Sequence, residues 1–99
     1  MSDDLMSSAY RTARENLKAA ELATFKSLDA AFPSEEFDAI HQASRRGMRL
    51  RSEAIDLARK VWAGSMQYEK AEEIIRSQFR DFPAQTVDGA LAEAYQENR

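Results

Sequence analysis

The chain has 99 residues, of which 43% are hydrophobic and 31% charged, and its formal net charge is −3. This composition is typical of one small globular domain and is too apolar for a disordered chain. It contains no cysteine, which excludes disulfides, thiolate metal ligands and cysteine nucleophiles. The start MSDDLMSSAY is acidic and no apolar run approaches the roughly 20 residues of a membrane helix. We therefore expect no signal peptide, no contact with a membrane and a soluble protein of the cytoplasm.

The first predicted element is a helix over residues 3–31. Asp3 and Asp4 lie in its first turn, where the helix dipole favours negative charge. Small and apolar residues recur at steps of three and four, at Met6, Ala9, Tyr10, Ala13, Leu17, Ala20, Thr24, Leu28 and Ala31. This stripe is rich in alanine, so it predicts the close approach of a neighbouring helix. The helix is expected to end before Pro33, because the proline ring moves Phe32 out of the α region.

A second helix is predicted over residues 34–62, with Ser34 as its N-cap. Its stripe runs through Phe37, Ile40, Ser44, Met48, Arg51, Ile55, Ala58 and Trp62. The stripe crosses Gly47 without a change of phase, which favours one continuous helix. Gly47 is a candidate position for a bend, because glycine inside a helix costs about 1 kcal/mol relative to alanine. Arg51 falls on the apolar side and is expected to pair with an acidic residue of a neighbouring helix.

Two shorter helices are predicted in the rest of the chain. Gly64 suits the left-handed cap that ends a helix, and a third helix is expected over residues 66–80. A second Phe-Pro pair ends it, and a fourth helix is expected over residues 84–96. The predicted fold is all-α, a single domain over residues 1–99. It is a small helical bundle in which two long helices pack antiparallel and two shorter C-terminal helices pack across them.

The sequence FPSEEFDAI at residues 32–40 is echoed by FPAQTVDGA at residues 82–90. At an offset of fifty, the four identities in and just before these stretches are Ser27/Ser77, Phe32/Phe82, Pro33/Pro83 and Asp38/Asp88. We interpret the repeat as one kind of helix–helix corner used twice, in which proline ends one helix. The phenylalanine would pack on the corner, and Phe37 or Val87 would enter the core. An ancestral duplication is the alternative origin.

Residues 22–62, in which a helix is followed by AFP and EEFDAI, resemble the start of ubiquitin-associated and CUE-type three-helix domains. In those domains a Phe-Pro turn and the last helix bind ubiquitin, so the resemblance implies a ubiquitin-binding surface. The sequence departs from the pattern in two places. Ala31 stands where CUE domains usually have methionine, and a helix that continues through Gly47 would remove the compact three-helix turn. We therefore do not assign the chain to that family.

Titratable residues give little support for catalysis. His41 is the only histidine, and with Asp38 it forms half of the paired motif that a di-iron bundle needs. A zinc site lacks ligands for the same reason, so we expect His41 to lie on the helix surface; a metal or catalytic site shared between subunits is the alternative. Three glycines, at 47, 64 and 89, cannot form a phosphate-binding loop. We predict that the protein is not an enzyme and uses no cofactor or metal.

Positive charge is concentrated in the middle of the chain. Residues 45–62 hold six basic and two acidic residues, whereas residues 1–44 hold four basic and eight acidic. Arg45, Arg46 and Arg49 share one face of the predicted helix. We call these three residues the arginine face. Such a face suits a phosphate backbone, an acidic protein surface or acidic groups of the same chain.

Three aromatic residues at predicted helix ends, Trp62, Tyr68 and Tyr95, are candidate anchors for a partner. Tryptophan and tyrosine are enriched in interfaces, although aromatic residues at helix ends more often belong to a core. We therefore expect a small non-catalytic protein-interaction protein: an adaptor, an inhibitor or a small subunit with a regulatory role. The alternative is a nucleic-acid-associated protein that binds phosphates through the arginine face. An alanine-rich helical hairpin would leave apolar surface uncovered, which predicts self-association, most simply as a homodimer.

Overall fold

The computed structural model of the chain describes residues 3–15 and 28–97. They form helix α1 (Asp3–Glu15), a helical stretch over residues 28–31, helix α2 (Phe37–Trp62), helix α3 (Tyr68–Gln78) and helix α4 (Ala84–Glu97). These two ranges contain no strand, which confirms the predicted all-α class. Within them, no helix has both the length and the apolar character that crossing a bilayer requires.

The bounds of the predicted helices are close to those of the structure. The predicted start at residue 3 and the end at residue 31 agree with it, whereas Ser2, Leu17, Ala20, Thr24, Phe25 and Ser27 lie outside the described residues. Helix α2 begins three residues later than predicted and ends at Trp62, as predicted. Helix α3 is shorter than predicted by two residues at each end, and α4 is longer by one residue. Differences of this size are common where a helix frays or a turn tightens at its end.

The chain divides into two compact units, Met1–Arg49 and Leu50–Arg99, and the boundary falls inside α2. In the first unit, the buried apolar residues are Leu5, Met6, Ala9, Tyr10, Ala13, Leu28, Ile40 and Ala43. In the second unit they are Leu50, Ala54, Leu57, Ala58, Ala71, Ile75, Phe79, Phe82, Val87, Ala90, Leu91 and Ala94. The helical members of both sets recur at steps of three and four, as expected for helices that bury one face.

Helices α1 and α2 approach closely at Gly47 in the first unit. A Cβ atom at Gly47 would lie 2.5 Å from the carbonyl carbon and oxygen of Ala9 and 2.8 Å from the backbone nitrogen of Tyr10. Both sides of the contact are backbone, so the crossing leaves no room for a side chain. Helix α2 runs through Gly47 as one helix, as predicted. The close approach predicted from the alanine-rich stripe therefore occurs at Ala9.

Ser44 is fully buried in α2, and its hydroxyl oxygen has no hydrogen-bond partner among residues 3–15 and 28–97. A buried hydroxyl without a partner loses its bonds to water and gains nothing in return. We expect Ser44→Ala to raise the free energy of unfolding by about 1 kcal/mol, because alanine removes this loss and also favours the helix. Chemical denaturation would measure the change. As a control, Ser77→Ala removes an exposed hydroxyl that donates to the carbonyl of Ile74 at 2.8 Å, and we expect a change within about 0.5 kcal/mol. A less stable Ser44→Ala protein would contradict the prediction.

The second Phe-Pro corner is built as predicted. Phe82 is buried and its ring meets that of Phe79 edge to face, with centroids 5.9 Å apart. Helix α4 starts directly after Pro83, whose carbonyl accepts hydrogen bonds from the N–H groups of Thr86 at 3.0 Å and Val87 at 3.2 Å. This start places Val87 on the buried face.

The first corner is different, and the prediction for Phe37 is wrong. Here the residues after Pro33 form a turn, in which the N–H of Glu35 donates to the carbonyl of Phe32 at 3.1 Å, and α2 begins only at Phe37. The delayed start puts Phe37 in the first position of the helix, where it is 66% exposed, and Ile40 is the first buried residue of α2. The two corners share their letters but not their backbone path, and the structure leaves both proposed origins of the repeat open.

Gly64 ends α2 as predicted. Its φ of +78° lies in the left-handed region, which glycine adopts without a steric penalty. The N–H of Ser65 donates to the carbonyl of Lys60 at 2.9 Å, and that of Gly64 donates to Val61 at 3.1 Å. These are the two hydrogen bonds of a glycine cap. The cap reverses the chain within five residues, so Tyr68 starts the next helix close to the end of α2.

Candidate functional site

The three predicted anchor residues come together in the second unit. Trp62 is the last residue of α2, Tyr68 is the first residue of α3, and Tyr95 lies in the last turn of α4. We call these three residues the aromatic cluster. The rings of Trp62 and Tyr95 stack with centroids 4.4 Å apart and planes 13° apart, and Tyr68 meets Tyr95 edge-on at 5.1 Å and 78°.

A hydrogen bond fixes the orientation of the tryptophan. The indole Nε1 of Trp62 donates to the backbone carbonyl of Tyr95 at 2.7 Å. This carbonyl belongs to the last turn of α4, where helix carbonyls have no partner inside the helix. The bond therefore satisfies both groups and holds the indole against the Tyr95 ring. The single donor of the indole is therefore already used within the chain.

The cluster is partly open to solvent. Trp62 is 44% exposed, and Tyr68 and Tyr95 are partly buried. Because one indole face lies on Tyr95 and the N–H is bonded, the exposed part of Trp62 is mostly apolar ring. A large apolar surface held in one orientation by neighbouring rings is the type of group that contributes most in protein interfaces.

The phenol of Tyr68 has a raised pKa. Burial is the main cause, followed by the negative charges of Glu72 and Asp88 and the neighbouring Tyr95, whereas Arg76 acts in the opposite direction. In the folded protein the phenol therefore keeps its proton to a higher pH than its ordinary pKa of 10.0 would allow.

A change in stability at high pH follows from this shift. A group whose pKa is raised in the folded state binds its proton more tightly there than in the unfolded chain. Its contribution to the free energy of unfolding is therefore complete below the pKa of the unfolded chain. This contribution is lost as the pH rises through the pKa of the folded state. We expect the free energy of unfolding to fall above about pH 10, and to fall less steeply in Tyr68→Phe. Denaturation at a series of alkaline pH values would measure both slopes. Equal slopes in the two proteins would contradict the prediction.

An ionic contact joins α3 to α4 near the cluster. The guanidinium of Arg76 donates from Nε to Oδ1 of Asp88 at 2.7 Å and from Nη2 to Oδ2 at 3.0 Å. A further contact of 3.3 Å reaches Glu72 one turn earlier in α3. These hydrogen bonds raise the pKa of Arg76, with Asp88 as the main cause. The spacing of four residues accounts for the contact with Glu72, whereas Asp88 lies in the next helix.

Arg51 pairs with an acidic residue, as predicted. It is buried, and its Nη2 lies 2.7 Å from Oε2 of Glu97, whose side chain is half exposed. The pair connects the second unit's part of α2 to the last residue of α4. A buried guanidinium needs such a carboxylate, so this contact positions the turn of α4 that carries Tyr95.

The arginine face lies in the first unit and is described separately from the aromatic cluster. Arg45 and Arg49 are exposed, and Arg46 is partly buried. Arg45 and Arg46 each already take part in an interaction within the chain. Helix α2 therefore carries all three arginines, and two of them already interact within the chain.

His41 is partly buried in α2, and its ring stacks on that of Phe37 with centroids 6.1 Å apart and planes 10° apart. Across residues 3–15 and 28–97, no three acidic or histidine side chains are grouped in a way that would hold a metal ion. The exposed Phe37 was missed as a surface residue. The signal that could have identified it is its position between acidic residues in EEFD, since such a stretch is typical of solvent-exposed positions.

The chain was compared with known proteins at three levels. No protein-family model matches it, no curated protein matches it, and no solved structure matches it.

Proposed function

We propose that the chain is a small non-catalytic protein-interaction protein, acting as an adaptor, an inhibitor or a small subunit of a complex in the cytoplasm. The observation that carries this proposal is the aromatic cluster. Trp62, Tyr68 and Tyr95 lie at the ends of three different helices, yet their rings contact one another in one cluster that is partly open to solvent. We propose that the exposed indole face enters an apolar recess of a partner protein.

The geometry of the cluster favours binding over simple core packing. A flexible side chain loses about 0.5–1.5 kcal/mol of free energy when an interface immobilises it. The indole of Trp62 is already held by the hydrogen bond to Tyr95 and by the stack. A partner would therefore lose little free energy in ordering it, and the apolar area would contribute directly to affinity.

Nucleic-acid binding through Arg45, Arg46 and Arg49 is the second candidate. Its support is the arginine face itself, on which Arg45 and Arg49 are exposed. The overall charge of −3 opposes it, because phosphate binding is driven mainly by positive charge. The existing interactions of Arg45 and Arg46 also oppose it. We therefore place protein binding first.

We further propose that the two long predicted helices pair antiparallel in a bundle and that the chain self-associates. The support for self-association in the structure is Phe37, which with Trp62 is one of the two large exposed apolar side chains among the described residues.

The test is capture of partners by the tagged chain, with and without nuclease, from cells that produce it. Three proteins are compared: wild type, Trp62→Ala, and Arg45→Glu combined with Arg49→Glu. A discrete protein that survives nuclease, and is lost only with Trp62→Ala, would support the proposed function. Recovery of nucleic acid that is lost with the double arginine variant or with added salt would replace it by the second candidate.

A further inference from the structure

A small pocket lies between the end of α3 and the start of α4. Its volume is about 220 Å³, and its lining consists of Arg76, Phe79, Arg80, Phe82, Ala84 and Val87. The floor of the pocket is apolar, because it is formed by the side chains of Phe79, Phe82 and Val87. These three residues are almost fully buried. Pockets for cofactors and drug-sized ligands usually measure about 300–1,000 Å³. The pocket is therefore suited to one side chain rather than to a whole small molecule.

The rim of the pocket carries positive charge. Arg76 is held in position by Asp88, with hydrogen bonds of 2.7 Å and 3.0 Å. Arg80 is exposed and forms no ion pair with any residue of the described ranges. Its neighbour Asp81 already takes part in another interaction within the chain. The occupant that fits is thus an apolar side chain with carboxylates beside it.

The chain itself displays such a segment. Phe37 is 66% exposed, the most exposed large apolar side chain among the described residues. Glu36 and Asp38 flank it directly and both are exposed, and Glu35 is partly exposed. The ring of Phe37 stacks on His41, so its orientation is already restricted. The segment Glu35–Asp38 is the chemical complement of the pocket, with an aromatic side chain for the apolar floor and carboxylates for the arginine rim.

We propose that Phe37 of one copy of this chain inserts into the pocket of a second copy, with Glu36 or Asp38 paired to Arg80. When two copies exchange this contact, each Phe37 fills the pocket of the other, and a closed two-fold dimer results. The site does not use the aromatic cluster, so it leaves Trp62 available for a different protein. This inference rests on the proposed self-association, whereas partner binding through Trp62 can succeed or fail separately from it.

The expected dimer is weak. Each copy contributes one aromatic side chain and a few charged contacts, which is less than the surface that stable complexes bury. We expect a dissociation constant on the order of 100 μM. The dimer should also weaken with salt, because the carboxylate–arginine contacts lie at the surface.

Sedimentation equilibrium of the full chain over a range of concentrations tests the proposal. We expect the average mass to rise from one copy towards two. Phe37→Ala and Arg80→Glu should each raise the dissociation constant at least about 10-fold, since each removes one half of the contact. Ala84→Trp should do the same by filling the pocket from an exposed position. Trp62→Ala should leave the mass distribution unchanged, and circular dichroism would confirm that each variant remains folded.

Reversing both charges distinguishes a direct contact from a general effect of charge. Glu36→Arg alone should weaken the dimer, and Glu36→Arg combined with Arg80→Glu should restore at least part of the affinity. A wild-type chain that stays at the mass of one copy up to millimolar concentration would overturn the proposal. A dimer that persists in Phe37→Ala and in Ala84→Trp would also overturn it, because its interface would then lie elsewhere.

Discussion

Replacement of Gly47 by alanine is expected to destabilise the first unit strongly. The added Cβ would lie 2.5 Å from backbone atoms of Ala9, and backbone atoms cannot rotate aside as a side chain can. The two helices would have to separate. The steric overlap should cost about 3 kcal/mol of stability, which exceeds the roughly 1 kcal/mol that alanine gains over glycine in helix propensity. We therefore expect the free energy of unfolding to fall by about 2 kcal/mol or more, and the melting temperature to fall by about 10 °C.

Gly89→Ala is the matched control. Gly89 also lies inside a helix, α4, but apart from its chain neighbours and the nearby backbone of its own helix, no heavy atom of the described residues lies within 4 Å of its added Cβ. Alanine there should raise the free energy of unfolding by about 0.5–1 kcal/mol. Thermal and denaturant unfolding of both variants would measure the two changes. Opposite signs are the expected outcome, whereas a stabilised Gly47→Ala protein would show that α1 and α2 do not cross at this residue.

Replacement of Trp62 by alanine is expected to have the largest effect on partner binding. It removes the exposed indole and its stack on Tyr95, which we propose to be the centre of the interface. Central aromatic residues of interfaces commonly contribute about 2 kcal/mol or more, which corresponds to a loss of affinity of about 30-fold. Titration calorimetry with the captured partner would measure this loss.

Two further variants make the Trp62 result specific. Trp62→Phe keeps a ring for the stack but loses the indole N–H that Tyr95 accepts, so its loss of affinity should be smaller. Phe37→Ala removes an aromatic side chain that is more exposed than Trp62, and it should leave partner affinity unchanged when the chain is kept dilute. Equal losses for Phe37→Ala and Trp62→Ala would mean that exposed apolar area in general, and not the aromatic cluster, determines binding.

The Arg51–Glu97 pair relates stability to this function. Tyr95 lies two residues before Glu97, and the buried Arg51 holds that end of α4. Variants of Glu97 would therefore change the position of Tyr95 as well as the stability of the second unit. For this reason the binding experiments use Trp62, which lies at the exposed side of the cluster.

Local chemistry in the sequence was sufficient for the class of the fold and for most helix ends. Glycine accepts the left-handed conformation, so Gly64 identified the end of α2, and its φ of +78° agrees. Pro83 marked the start of α4 in the same way, because proline lacks the N–H that an earlier helix would need. Arg51 was assigned a partner from its position on an apolar face, since a buried cation requires an opposite charge.

Only the tertiary structure decided what these elements meet. Periodicity shows which face of a helix is apolar, but not the distance at which another helix crosses it. The sequence therefore offered Gly47 only as a candidate bend, and its contact with the backbone of Ala9 was not predicted. Phe37 was assigned to the core from its position on the apolar stripe. A turn after Pro33 delays the start of α2, so Phe37 is the first residue of the helix and is 66% exposed. Trp62, Tyr68 and Tyr95 were each recognised as candidates by residue type. That their rings contact one another depends on three helix ends meeting, and contacts between residues 33 positions apart are not encoded in local spacing.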